Sequence, residues 1–274
     1  MDYQFNSNWR ATGRYMFHSN KNELPYGVSG WSIGGNLDDF NVISNTPGRN
    51  WLVSSTGIIN NTTSLEVSVG SAHNSLEHYT EDEKFTRANL TKLAGGQEVP
   101  MLYTAGIQND YIPYFVYGGG RIANAPVYRI HQAPFTNFNT TYDVVANLTK
   151  VMGSHAAKAG FYYQKSLKPQ SAFSTFNGQY NFNNNTSNPY DSQHPFANAA
   201  LGIYDSFVQA SDYRKPEWMY QNYEWYLQDN WRTNNKLTLD YGVRFYYLTP
   251  QWDQSMQAAN FLPEDFNAAA AVRL

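Results

Sequence analysis

His73 and His78, with Glu77 between them, are the side chains whose types first suggest chemistry, a metal site. They lie in strand-like sequence, where positions five apart face opposite ways, so the two rings do not converge. Surface histidines where a strand passes into a loop are the better reading. Gly118-Gly119-Gly120 resembles a phosphate loop in composition, but no strand–loop–helix context or Lys-Ser/Thr follows it. Glu81-Asp82-Glu83 is acidic without calcium-loop spacing and reads as a solvated loop. Asn147 opens an Asn-x-Thr sequon within an alternating segment, where the match is accidental. No Ser-His-Asp or Cys-His arrangement is legible, and the absence of cysteine removes thiolate metal sites. No metal or other cofactor and no enzymatic activity are expected. What remains is a set of charges on the polar side of alternating segments: Arg10, Arg14, Glu66, Lys158, Glu224, Asp240 and Arg244. These could line an internal space and meet a ligand, or could simply hydrogen-bond to their neighbours.

The elements that must carry those charges are clearest between Tyr223 and Tyr247. Leu237, Leu239, Tyr241, Val243, Phe245 and Tyr247 alternate with Thr238, Asp240, Gly242, Arg244 and Tyr246. Period two means a strand with one apolar and one polar face. Tyr223, Trp225, Leu227 and Trp231 repeat the pattern before a polar break at Thr233-Asn234-Asn235, with Asp229 the exception on the apolar parity. Two such arms around a short Asn-rich turn predict a β-hairpin. Each arm has about the ten residues a tilted strand needs to cross a bilayer.

Further strands are expected at residues 2–5, 9–18, about 50–60, 65–79, 142–149 and 157–164. The segment at 50–60 has ambiguous parity, because Leu52 and Ile58 sit opposite Trp51, Val53 and Ile59. Long connections are expected at about 19–48, 80–139 and 168–216, with short helical turns after Glu81 and over Phe196–Gly202. Connections therefore run short, long, short, long along an up-and-down antiparallel meander. Every short turn falls on one side and every long loop on the other, as in an outer-membrane barrel. Trp9 and Trp231 abut short turns, and Tyr247 and Trp252 mark the far end of the last strand, where interfacial aromatics belong.

Composition is consistent with such a wall. Charged residues make up 15% and aromatics 16% of 274 residues, fewer charges and more rings than a soluble domain usually has. Mean hydropathy is negative and no run of 18 uncharged apolar residues exists, which excludes a bundle of spanning helices but not a barrel. A net charge of −3 argues against nucleic acid as a partner. The N-terminus has neither the basic start nor the apolar core of a signal peptide. Both ends read as cut, so the expectation is an internal piece of a longer protein.

Trp225-Tyr-Leu-Gln-Asp-Asn-Trp-Arg followed by Lys236-Leu-Thr-Leu-Asp-Tyr-Gly-Val-Arg-Phe resembles the "QD-W" hairpin of TonB-dependent outer-membrane receptors. Gly120-Arg121-Ile122-Ala123-Asn124-Ala125-Pro126, Asn188-Pro189-Tyr190-Asp191, Phe196-Ala197-Asn198-Ala199-Ala200-Leu201-Gly202 and Asn260-Phe261-Leu262-Pro263 look like the Oar-like branch, whose members often carry a carboxypeptidase-regulatory-like domain. The resemblance implies a large barrel of about 22 strands, plugged by an N-terminal domain and driven by TonB. Seven full strands and one partial strand are legible, without a plug or TonB box. The expected partners are outer-membrane lipid, the TonB system through a plug outside this chain, and an unidentified transported ligand. A passive porin or structural outer-membrane protein, and a secreted soluble glycan-binding β-protein, are the rival readings.

Overall fold

The computed structural model describes residues 1–24, 42–104, 110–118, 122, 125 and 135–270. In chain order its strands are β1 (Asp2–Asn6), β2 (Trp9–His18), β3 (Lys21–Leu24), β4 (Val42–Asn45), β5 (Gly48–Asn60), β6 (Thr63–Tyr79) and β7 (Tyr114–Tyr117). There follow β8 (Phe135–Met152), β9 (His155–Pro169), β10 (Gln179–Phe182), β11 (Ser206–Val208), β12 (Glu217–Arg232), β13 (Thr238–Leu248) and β14 (Trp252–Asp253). Eight of them form an antiparallel meander in the order β1-β2-β5-β6-β8-β9-β12-β13. The long strands outrun the sequence expectation at their loop ends: β8 starts at Phe135 and β12 at Glu217.

The short turns share a device. Asn6 Oδ1 accepts from the backbone N–H of Asn8 and Trp9, at 2.8 and 3.0 Å. Asn60 Oδ1 accepts from Thr62, and Asn234 Oδ1 from Lys236 and Leu237. An asparagine carboxamide thus supplies the acceptor that a tight turn lacks. The remaining turn uses Gly153 at φ +62°, the left-handed conformation that two-residue hairpins demand.

Register turns this meander into an arc of a barrel. One hydrogen-bonded row carries Trp9, Gly57, Leu65, Leu148, Ala159, Leu227 and Val243. Trp9 is the first residue of β2, whereas Leu227 lies five residues from Arg232, where β12 ends. Five strand-to-strand steps separate them, so rows climb about one residue per strand relative to the turns. At about 3.3 Å per residue and about 4.8 Å between strands, that stagger tilts the strands by about 35°. Transmembrane barrels have the same inclination.

Both faces of the sheet are open, and the packed core lies at the loop end. Val42, Phe85, Tyr111, Phe135, Phe176 and Phe182 are buried there. Beyond the ends of the main strands, β7 and β10 pair in parallel and β11 adds antiparallel to β10, a small sheet the sequence did not disclose. Its rings interlock, with Tyr180 and Phe207 centroids 4.5 Å apart and Tyr117 and Phe182 5.6 Å apart. Two short helices, α1 (Arg87–Leu93) and α2 (Pro195–Ala200), occupy the two stretches where helical turns were expected. Thr86 Oγ1 caps α1 by accepting from Asn89, and Gly202 at φ +73° ends α2. Asp82 caps a 3-10 turn by accepting from Lys84, and Lys21 pairs with Glu81 at 3.4 Å, so that acidic stretch is a solvated loop.

Two expectations need correction. His78 is not a surface histidine: it is 4% exposed and stacks on Phe135 at 6.0 Å, because β6 runs on into the loop-end core. His73 is half-buried and shares a hydrogen with Thr140 Oγ1 at 2.8 Å. Gly118 adopts φ +69°, while Gly119, Gly120 and most of the 120–126 motif lie outside the described residues.

Candidate functional site

Pairing assigns every wall residue to one of two faces. Arg10, Thr56, Glu66, Asn147, Gly160, Tyr226 and Arg244 share a row on the polar face. The row above holds Thr12, Ser54, Ser68, Val145, Tyr162, Glu224 and Tyr246, and Arg14 follows with Leu52, Gly70, Asp143, Gln164 and Asn222. Lys158 lies opposite Thr149 and Gln228, and Asp240 opposite Asn230, on the same side. All seven charges proposed from sequence therefore project from one surface. Leu52 resolves the ambiguous parity of β5: it sits on this polar face and covers Gly70, while Trp51 and Val53 face the other way.

The charges divide by pairing. Arg244 meets Glu224 at 3.2 Å and lies 5.3 Å from the Tyr226 ring centroid. Asp240 accepts from Gln228 at 2.9 Å. Among the described residues, the side chains of Arg10, Arg14, Glu66 and Lys158 carry no hydrogen bond or ion pair. A second polar cluster escaped the sequence reading. Tyr162 Oη and Gln164 donate to Asp143, Asn222 donates to Gln164, and Tyr226 Oη donates to Asn147. Writing the strands in register would have exposed it, because Tyr162 and Tyr226 are rings on the polar parity. Gly160 leaves the room in which the Tyr226 ring lies.

The opposite face is apolar and bare. Phe161, Trp225, Leu227, Val243 and Phe245 are 44–61% exposed and adjoin one another, the kind of contiguous apolar patch that marks a membrane or partner contact. Aromatics bound it at two levels. Trp9 opens β2 and Trp231 is the penultimate residue of β12, both beside short turns. Trp9 lies over Gly57, and Trp231 stacks on His155 at 5.3 Å. Nine residues up their strands from Arg232 and Thr238 stand Tyr223 and Tyr247, with Tyr163 in the same row. Trp252 lies four residues higher, paired with Met219. The span from Trp231 to Tyr223 is about 22 Å along the membrane normal at the tilt above, close to the apolar band of about 25 Å.

Asp229, the exception on the apolar parity, is not left bare. Its carboxylate contacts His155 Nδ1 at 2.6 Å and accepts from Tyr241 Oη at 2.9 Å, one row above Trp231 at the edge of the band.

At the loop end a polar knot holds the chain around α2. Asp191 accepts from the backbone N–H of Asn185 at 2.6 Å and of Gln193 at 2.5 Å, and from the fully buried Asn198. Asn198 in turn accepts from Ser192 and donates to Asn183. The Asn185 N–H, ahead of the bonds from Gln193 and Asn198, holds the Asp191 carboxyl below the usual carboxylate range against a smaller opposing effect of desolvation. A depressed folded-state pKa contributes stability above the unfolded value of about 3.9, and that contribution is lost as pH falls through the folded value. Proteolysis of residues 183–205 on intact cells is therefore expected to stay slow at pH 7 and to accelerate below about pH 4. Asp191→Asn should make cleavage fast at both. A pH-independent rate in the parent protein would contradict the assignment.

Tilted strands, one lipid-compatible face between two aromatic levels and long loops gathered at one end define the wall of a transmembrane β-barrel. The chain belongs to the outer membrane beta barrel domain family, whose model matches residues 1–273, which places it in the outer membrane. No curated protein matches it. It is similar in structure to the outer membrane transporter YddB from Escherichia coli, with a TM-score of 0.48 and 12% identity. That match covers 90% of this chain and 26% of the transporter, so the chain spans about a quarter of the transporter's length.

Proposed function

We propose that this wall belongs to a TonB-dependent receptor of the Oar-like branch, which takes up a bulky ligand with energy supplied through TonB. The observation that carries the reading is the β12–β13 hairpin, whose Gln228-Asp229-Asn230-Trp231 segment and following strand have the receptor pattern. Its setting supports a large barrel. The described path leaves β1 and β13 unpaired with each other, and an unsatisfied backbone group in lipid costs several kcal/mol. Closure therefore calls for more strands than these eight. The loop-end sheet and helices would meet ligand first, and the unpaired Arg10, Arg14, Glu66 and Lys158 would face the lumen, against a plug domain or the passing ligand. These roles are for transport, not catalysis.

Planar-bilayer recording on the full-length natural protein separates this reading from a passive porin. A plugged receptor is expected to show no steady conductance and to co-purify with the periplasmic domain of TonB. A steadily open pore with no TonB retention would contradict energised uptake and favour the porin.

A further inference from the structure

The excursion between β6 and β8 leaves and rejoins the wall at one rung, His78 paired with Phe135. The His78 ring is buried and stacked on Phe135, and its Nδ1 has no hydrogen-bond partner among the described residues. Thr136 Oγ1 and Asn137 Oδ1, on the next two rungs, are buried and unpaired as well. Among the side chains, ring packing rather than hydrogen bonding therefore closes this neck. The first part of the excursion hangs from the residues just past it. Tyr111, itself buried, accepts from the Thr80 N–H at 3.0 Å through its Oη and donates to the Thr80 carbonyl at 2.8 Å. The neighbours of Tyr111 hold α1 in turn. The Arg87 N–H donates to the Asp110 carbonyl at 2.6 Å, the Ala88 N–H to the Asp110 carboxylate at 3.1 Å, and the Ile112 N–H to the Phe85 carbonyl at 2.9 Å. Residues 80–104, α1 among them, are thus held by a contact two residues from His78.

His78 lies fifteen residues along β6 from Thr63, whereas a tilted strand crosses the apolar band in about 9–11, so the ring stands outside the membrane. Burial pulls its pKa below the ordinary value of about 6.5. Among the described residues no carboxylate stands opposite to offset this: Ser44 faces it from β4 and Phe135 from β8. Glu77 and Tyr79 lie on the other face of β6, Glu77 held by the Asn45 amide at 2.9 Å, and the Tyr111 hydroxyl is engaged by Thr80. A proton on the buried ring is therefore a charge without a counter-ion, which a closed neck cannot accommodate and a hydrated one can.

We propose that His78 is a proton-operated latch on the loop end. Uncharged, it seals the neck; charged, it opens the neck and frees residues 80–104 from the packing around it. The closed form binds this proton less well than the open form does. Closure is therefore fully stabilised above about pH 6.5, and weakens by as much as about tenfold per pH unit below it until the closed-state value is reached. The inference rests on the loop-end packing and not on coupling to TonB.

The test is amide hydrogen exchange of the full-length protein in nanodiscs at pH 7.5 and 5.5, each rate corrected for the exchange of unstructured peptide at that pH. In the parent protein, corrected exchange over residues 80–104 is expected to rise about five- to tenfold at the lower pH. His78→Phe keeps a ring on Phe135 but takes no proton, so its corrected exchange should be the same at both. His73→Gln removes the histidine bonded to Thr140 on the opposite face of β6 and should rise as the parent does. A parent rate that does not change with pH would overturn the proposal without any variant. A rise that survives His78→Phe, or one that is lost in His73→Gln, would do the same. Loosening confined to residues 183–205 would assign the acid response to Asp191 and overturn it too.

Discussion

Phe161→Arg is expected to destabilise the assembled barrel by about 2–4 kcal/mol, the cost of a guanidinium near the bilayer midplane. Phe161 lies six residues from the turn end of β9 and is 44% exposed between Ala146 and Trp225 on the apolar face. Its row neighbours Ala146 and Trp225 offer an arginine no side-chain acceptor, and snorkelling to the nearer headgroups must cross about half the apolar band. Val145→Arg is the matched control. Val145 pairs with Tyr162 and Ser68 at a similar depth on the polar face, where an arginine joins Glu224 and Tyr246 in the same row. Its cost should stay below about 1 kcal/mol. Urea unfolding of the full-length protein in phospholipid vesicles reads both. Equal losses for the two variants would mean that the faces have been assigned wrongly.

The second large effect belongs to the loop end. Phe135 is 1% exposed and stacks on Phe173 at 5.0 Å and on His78 at 6.0 Å, at the point where β8 leaves the wall. Phe135→Ala removes the ring and leaves a cavity, a loss of about 3–5 kcal/mol in a well-packed core. The wall below is held by its backbone ladder and by lipid and does not use that core. The variant should therefore keep the heat-modifiable gel mobility of a folded barrel while its surface loops become rapidly cleaved by protease on whole cells. Loss of both together would show that loop end and wall fold as one unit.

These two effects separate what was legible in the chain from what was not. The wall could be read because period-two alternation at Leu237–Tyr247 is imposed by the pleat alone, and the placing of short and long connections gave its orientation. Asp229 stood out as an anomaly, but its partner His155 is 74 residues away, and only register brings the two together. Leu52 blurred the parity of β5 because it fills space over a glycine on the polar face, where local hydrophobicity misleads. The small sheet was invisible because strands of three or four residues carry almost no periodic signal, and Tyr114–Tyr117 meets Gln179–Phe182 in parallel from far along the chain. His78 looked exposed for the same reason: its burial depends on Phe135, across a long connection.

The most direct test of the wall is its contact with lipid, residue by residue. A nitroxide walked through positions 222–231 of the full-length protein in native-like bilayers reports oxygen, which concentrates in lipid, against a polar nickel chelate, which concentrates in water. The account predicts a period of two, with oxygen maxima at Tyr223, Trp225 and Leu227 and nickel maxima at Asn222, Glu224 and Tyr226. Oxygen maxima at the even positions, or no alternation at all, would contradict it.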